Sequence, residues 1–227
     1  MGSASAASKK EPHPALLEDG EGKDSSMPKP HLTFWYEFAS PYSWLAAERI
    51  EALAAAADVE VNWRPFLLGP IFVAQGWQSS PFNLYRAKGA NMWRDIARQC
   101  ELMGVPPPTR PEPFPQNSLL AARVATAMPD ATRPAFSRAV YRAEFTEGRP
   151  IADRTVIGEV LRRCGLNAEA TLTAAESVEN KAALRAATEE AGTHGIYGAP
   201  SFVTPSGELF WGNDRLEQAL VWAKREA

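Results

Sequence analysis

The hydrophobic pattern of the chain changes period several times. Residues 31–39, "HLTFWYEFA", are dense in aromatic and β-favouring side chains and predict a buried strand. Ser40 and Pro41 end that run. A serine is a good helix N-cap, and a proline is favoured at the first helical position because its missing N–H needs no partner there. Ala46, Ile50 and Leu53 then recur at helical spacing. Residues 59–66, "VEVNWRPF", alternate and predict a second strand. Strand, helix, strand in this order is a parallel crossover. From about Pro81 to Gly192 the period is helical. Met92, Trp93, Ile96, Cys100 and Met103 form one apolar face, and Phe136, Val140 and Tyr141 belong to another. Val156, Ile157, Val160, Leu161 and Cys164 form a third, closed by Gly165. A proline-rich stretch, "GVPPPTRPEPFPQN", joins two of these helices, and neither a strand nor a clear repeat is predicted in the region. "SFVTP" and "ELFW" then read as strands about an "SG" turn. "NDRLEQALVWAKREA" reads as a closing helix, acidic at its start and basic at its end as the helix dipole prefers.

The opening β-α-β and the closing β-β-α join into one small mixed sheet with flanking helices. The expected fold is α/β, with a sheet domain from residues 31–70 and 193–227 and an inserted all-helical domain over 71–192. Residues 1–30 hold few large apolar side chains and predict a disordered tail or leader. That segment lacks the apolar core of a secretory signal.

Composition narrows the function classes. The 227 residues are 45% hydrophobic and 22% charged, which is ordinary for a globular protein. A net charge of -3 argues against a nucleic-acid surface. No apolar run reaches the roughly 18 residues needed to span a membrane. Only two cysteines occur, Cys100 and Cys164, far apart and on apolar helix faces. Two such thiols make no disulfide framework and suit a reducing compartment, so a cytoplasmic setting is expected. No metal site is expected.

Three short segments carry candidate chemistry. Ser40, Pro41, Tyr42 and Ser43 open the first helix. Unpaired N–H groups and the positive dipole end suit an anion there. The arrangement is similar to the thioredoxin superfamily, whose disulfide oxidoreductases place Cys-x-x-Cys at this position. With serine there and both cysteines elsewhere, dithiol exchange by that route is excluded. Ser40 is either a cap alone or the donor to a sulfur brought by a ligand. Lowering a thiol pKa from about 8.5 by about two units needs roughly 2.7 kcal/mol. A charge-assisted hydrogen bond of about 1.5–3 kcal/mol and a dipole contribution of ~0.3–1 kcal/mol suffice. In "YGAPSFV", Pro200 precedes a strand. In thioredoxin-like folds the matching proline is cis, and Ala199 before it would pair with the cysteinyl part of a glutathione in the manner of an added strand. In "FWGNDRLEQAL", Asn213 and Asp214 are either an N-cap with a first-turn acid or a recognition site for an amino-acid end. In the second reading Asp214 meets the ammonium, and Asn213 with N–H groups nearby holds the carboxylate.

With "FWYEFASPYSWLAAERI", "WRPFLLGPIFVAQGW", "NMWRDIARQCELMGVP", "FPQNSLLAAR", "GIYGAPSFV" and "FWGNDRLE" in this order, the chain resembles the 2-hydroxychromene-2-carboxylate isomerase family, which includes kappa-class glutathione transferases. The resemblance spans about residues 33–222. It implies a thioredoxin-like domain with an inserted helical domain, glutathione as cofactor, and a homodimer. It implies that Ser40 touches the glutathione sulfur, and that Ala199, Pro200, Asn213 and Asp214 contact the tripeptide. Lys88 is expected either to pair with its glycine carboxylate or to be a solvated surface lysine, and Asn117 to face the pocket or cap the following helix. Trp77, Phe82 or Trp93 are candidates for apolar walls. The chain departs from the family pattern at Trp77 and Gln78, where an Asn is frequent, and after Lys88, where Lys-x-x-Tyr is frequent. The implied reaction is glutathione-dependent isomerisation of an aromatic keto acid in naphthalene-type breakdown. A broader glutathione transferase or peroxidase, and a non-catalytic glutathione-binding protein, are the alternatives.

Overall fold

The computed structural model describes residues 1–2 and 29–226. The tail expected over residues 1–30 therefore falls almost wholly outside the described residues. Strand β1 (His31–Tyr36) leads into helix α1 (Pro41–Ala57), and β2 (Glu60–Pro65) returns parallel to β1 with Phe34 opposite Trp63. Helix α1 stops at Asp58, which takes the left-handed conformation at φ 56° and donates its N–H to Ala54 and Ala55. Eight helices follow: α2 (Leu68–Ala74), α3 (Pro81–Leu84), α4 (Arg86–Met103), α5 (Leu119–Ala127), α6 (Arg133–Phe145), α7 (Arg154–Arg163), α8 (Ala168–Ala175) and α9 (Val178–Thr193). Strands β3 (Ser201–Val203) and β4 (Leu209–Trp211) then close the sheet, and a 3-10 turn over Asn213–Arg215 leads into α10 (Leu216–Arg225). The sheet order is β2-β1-β3-β4, with β3 antiparallel to both neighbours. The fold is α/β, with a four-stranded mixed sheet as expected.

Alternation along β1 sends its side chains to two cores. Leu32, Phe34 and Tyr36 face one layer, where Phe34 stacks on Phe202 at 5.4 Å and meets Trp63 edge-on at 4.9 Å. Helices α1, α6 and α10 cover that layer, α1 packing on both others. Trp35 faces the opposite layer with Phe66, Ile71, Ala187, Ala191 and Val203. Thus α2 and α9, the two ends of the helical stretch, cover the sheet's second face. The boundaries expected at 70/71 and 192/193 both fall inside these helices. Burying each such aromatic or branched side chain contributes about 1.5–3 kcal/mol, which makes these two cores the main source of cohesion.

Two observed differences bear on the site. The first strand run ends at Tyr36, so Glu37–Ala39 form a turn that aims α1, with the Ser40 N–H donating to Glu37 O at 3.1 Å. The closing helix begins three residues late, because Asn213–Arg215 tighten into the 3-10 turn.

Candidate active site

Ser40 ties three chain segments together. Its backbone is extended, and its Oγ accepts the Ser43 N–H at 3.2 Å as a helix cap. The same hydroxyl donates to Ala199 O at 2.9 Å, across 159 residues of sequence. The Ala199–Pro200 peptide is cis. Ser40 is 8% exposed, so its single proton is held in this contact. Donation to an incoming sulfur requires the hydroxyl to turn away from the Ala199 carbonyl. The first turn of α1 offers another donor. Pro41 has no N–H, the Ser43 N–H goes to Ser40 Oγ, and the Trp44 N–H goes to Ser40 O, which leaves the Tyr42 N–H open.

These groups line a cavity of about 1180 Å³. Every nominated residue borders it: Ser40, Lys88, Asn117, Ala199, Pro200, Asn213 and Asp214. So do Trp77, Phe82 and Phe114, whereas Trp93 stands behind the wall, edge-on to Phe114 at 5.0 Å. At the rim Tyr197 and Trp211 lie 4.9 Å apart. Gly198 permits this, since a Cβ there would stand 2.3 Å from Trp211 Nε1.

The two ends of the cavity differ in charge. Lys88 is the single lysine or arginine among the described lining residues, and its Nζ lies 5.8 Å from the Phe82 ring centre. Its helix, α4, then presents Asn91, Asp95 and Gln99 on the same face. Asp95 accepts the Tyr42 hydroxyl at 2.9 Å and the Gln99 amide at 2.7 Å. Burial, then that bond and the charges of Asp95 and Asp214, raise the Tyr42 pKa far above its ordinary value, so it stays a neutral phenol. Asp214 is open to solvent and pairs with Arg215 at 3.1 Å.

Asn213 borders the cavity with its side chain engaged inside the protein. Its Nδ2 donates to Gln99 at 2.6 Å and its Oδ1 accepts from Arg49 at 3.0 Å. The side chain is thereby spent on holding the 3-10 turn, and the backbone N–H groups that open this turn are what it leaves for a carboxylate. Asn117 Oδ1 likewise accepts the Leu119 N–H at 3.0 Å at the start of α5, and the residue borders the cavity.

Glu37 and Ser118 border the cavity too, and the sequence pattern did not single them out. Ser118 donates its hydroxyl to the Glu37 carboxyl. Burial pushes the Glu37 pKa up to about 7, against the lowering effect of Ser118 and of the Ala39 N–H. Cys100 and Cys164 do not line the cavity; burial raises both thiols, Cys100 to about 11. Among the described residues no group of three or more His, Cys, Asp or Glu is placed to hold a metal ion, and no helix is long and apolar enough to cross a membrane.

A family model described as a DSBA-like thioredoxin domain matches residues 31–220. The chain belongs to this DsbA-like thioredoxin family. Among DsbA-like proteins it is similar to a 2-hydroxychromene-2-carboxylate isomerase of Sphingobium xenophagum, at 26% identity over 186 residues, covering 82% of this chain and 94% of the relative. A solved 2-hydroxychromene-2-carboxylate isomerase superposes with a TM-score of 0.77 at 22% identity, over 86% of this chain and 95% of the other. A probable DsbA oxidoreductase from Streptomyces coelicolor superposes at 0.68 with 20% identity, over 87% and 91% of the two chains. Within the DsbA-like fold, this chain carries Ser40 and Ser43 at the start of α1 and keeps both thiols out of the cavity.

Proposed function

We propose that this protein is a glutathione-dependent isomerase that converts 2-hydroxychromene-2-carboxylate to trans-o-hydroxybenzylidenepyruvate. The observation that carries the reading is Ser40: a hydroxyl at the mouth of a helix N-terminus, opening on a cavity that holds no thiol. The similarity to isomerases over most of the chain supports it. The cavity volume exceeds the roughly 300–1,000 Å³ typical of sites for one small ligand, which suits a tripeptide beside a second molecule.

The residues present fit glutathione. Asp214 and Asp95 form an acidic end for its ammonium. Ala199, whose carbonyl is held by Ser40, keeps its N–H for the cysteinyl backbone. Lys88 suits a carboxylate at the other end. The Tyr42 N–H meets the sulfur, joined by the Ser40 hydroxyl once it turns from Ala199 O, with the α1 dipole behind them. When bound, glutathione would supply a thiolate nucleophile for the carbon–carbon double bond that is to be isomerised, with Ser40, Tyr42 and Ala199 holding its cysteinyl part. Trp77, Phe82 and Phe114 wall the space beside it with apolar surface suited to an aromatic ring, and exclude water from it. The same reading carries a homodimer in a reducing cytoplasm.

The test is turnover of 2-hydroxychromene-2-carboxylate with and without glutathione, run beside conjugation of an electrophilic aryl halide. We expect glutathione-dependent isomerisation that falls at least 10-fold in Ser40→Ala. Conjugation without isomerisation would replace this reading by a broader transferase, and neither activity would leave a binding protein.

A further inference from the structure

Glu37 is an acid in the wall of the cavity, in the turn that delivers Ser40. The Ser40 N–H donates to Glu37 O at 3.1 Å, so the two residues are neighbours in space as well as in sequence. Both open on the same cavity. The Glu37 carboxyl accepts the Ser118 hydroxyl, and the Tyr141 hydroxyl donates to the Glu37 carbonyl at 3.1 Å. From α6, behind it, comes a second carboxyl. Glu144 is fully buried, and neither of its oxygens has a hydrogen-bond partner among the described residues. The groups facing Glu37 are therefore Ser118, the phenol of Tyr141 and the carboxyl of Glu144, with no cation among the influences on either acid. Two carboxyls in one apolar setting do not both ionise near neutrality. Glu144, enclosed and unpartnered, keeps its proton. Glu37, supported by Ser118 and open to the cavity, is the one that exchanges.

A thiol that binds at Ser40 as its thiolate must release a proton, and Ser40 has none of its own capacity to take it: its Oγ already accepts from Ser43 and donates to Ala199. We infer that Glu37 is the proton acceptor for the thiol entering this cavity. The inference rests on the glutathione reading above. The S–H bond breaks with its electron pair left on sulfur, and an O–H bond forms on the carboxylate. The negative charge passes from Glu37 to sulfur, so the total charge of the site does not change. The thiol thus adds no net negative charge to a cavity already lined by Asp95 and Asp214. When the thiolate leaves the enzyme as thiol, the same proton returns to it.

The experiment is calorimetry of glutathione binding in two buffers of different ionisation enthalpy, which counts protons released to solution. With Glu37 titrating at about 7, wild type should release close to one proton per glutathione at about pH 6 and close to none at about pH 8. Glu37→Gln should release close to one at both. S-methylglutathione, which has no thiol proton, should bind with no release, and thiolate ultraviolet absorbance should appear with glutathione alone. Binding accompanied by the same release at both pH values in wild type overturns the inference and leaves the glutathione reading intact. Absence of binding by either compound overturns both. The wild-type pair of measurements decides the matter even if the variant fails to fold.

Discussion

Glu37 and Glu144 show how burial and a single hydroxyl divide two like side chains into different roles. Among the described residues Glu144 has no partner to support a charge, and its pKa stands well above the ordinary carboxyl value because of burial and then of Glu37. Glu37 has Ser118 and the Ala39 N–H, which offset part of the same burial cost. The consequence for stability has a definite sign. A carboxyl raised from 4.5 to about 7 binds more protons in the folded chain than in the unfolded one between these values. Folding is therefore favoured at low pH, and the stability falls as pH rises through that window. The loss is on the order of 3 kcal/mol at about 1.36 kcal/mol per unit. Urea unfolding at about pH 5 and pH 8 should show a larger loss in wild type than in Glu37→Gln by about this amount, the loss due to Glu144 being common to both. Equal losses would mean that Glu37 ionises like an exposed acid. The sequence holds a signal for this residue: a lone acid within "HLTFWYEFA", where a buried strand should continue apolar. It falls within the predicted strand because nothing local shows that the chain turns after Tyr36.

Among elements, the joint between β1, α1 and the loop before β3 depends on the Ser40 hydroxyl. Replacing Ser40 by Ala removes the cap, at about 1 kcal/mol, and leaves Ala199 O without its donor, at about 1–3 kcal/mol more. Ser40→Ala should therefore lower the unfolding free energy by roughly 2–4 kcal/mol, measurable by denaturant titration, with the α1 N-terminal amides losing hydrogen-exchange protection first. A change under about 0.5 kcal/mol would make the Ala199 contact energetically idle. The strand–helix order, the mixed sheet and the cap at Ser40 were legible because each is written in local period and punctuation. The fate of Asn213 was not. Its partners, Arg49 and Gln99, lie 164 and 114 residues away, and only the packing of α1 and α4 beside the 3-10 turn brings them to it. Asp95 and Gln99 were hidden for a related reason. A polar stripe on α4 looks like a solvated face until the segment around Phe114 and the turn around Asn213 close over it.

For the whole molecule, the position of the cavity determines what a ligand does. Its wall draws on the start of α1, α2, α4, the segment before α5, and the loops flanking β3 and β4. A bound molecule therefore joins the sheet to the helices of the middle of the chain, and its binding energy adds to the cohesion of both. At a glutathione concentration of about 100 Kd the native state gains about 2.7 kcal/mol. For a chain of this size each kcal/mol moves Tm by about 2–4 °C, so the midpoint should rise by roughly 5–10 °C. S-methylglutathione separates two contributions to this shift. It keeps the backbone, ammonium and carboxylates that the proposed function assigns to Ala199, Asp214 and Lys88, but it brings no thiol to ionise against the Tyr42 N–H. If the peptide contacts dominate, both compounds raise Tm almost equally. If the sulfur contact dominates, glutathione alone does so, and its advantage shrinks as pH falls below about 7, where Glu37 is already protonated. Because Glu37→Gln has no acceptor and releases the thiol proton to solution at every pH, that dependence should continue through about pH 8 in the variant instead of levelling off near 7, while the peptide part of the shift persists. Thermal scans of both proteins across this pH range, with each compound, measure the two parts separately, and a glutathione shift with no pH dependence in wild type would remove the coupling between Glu37 and the bound thiol.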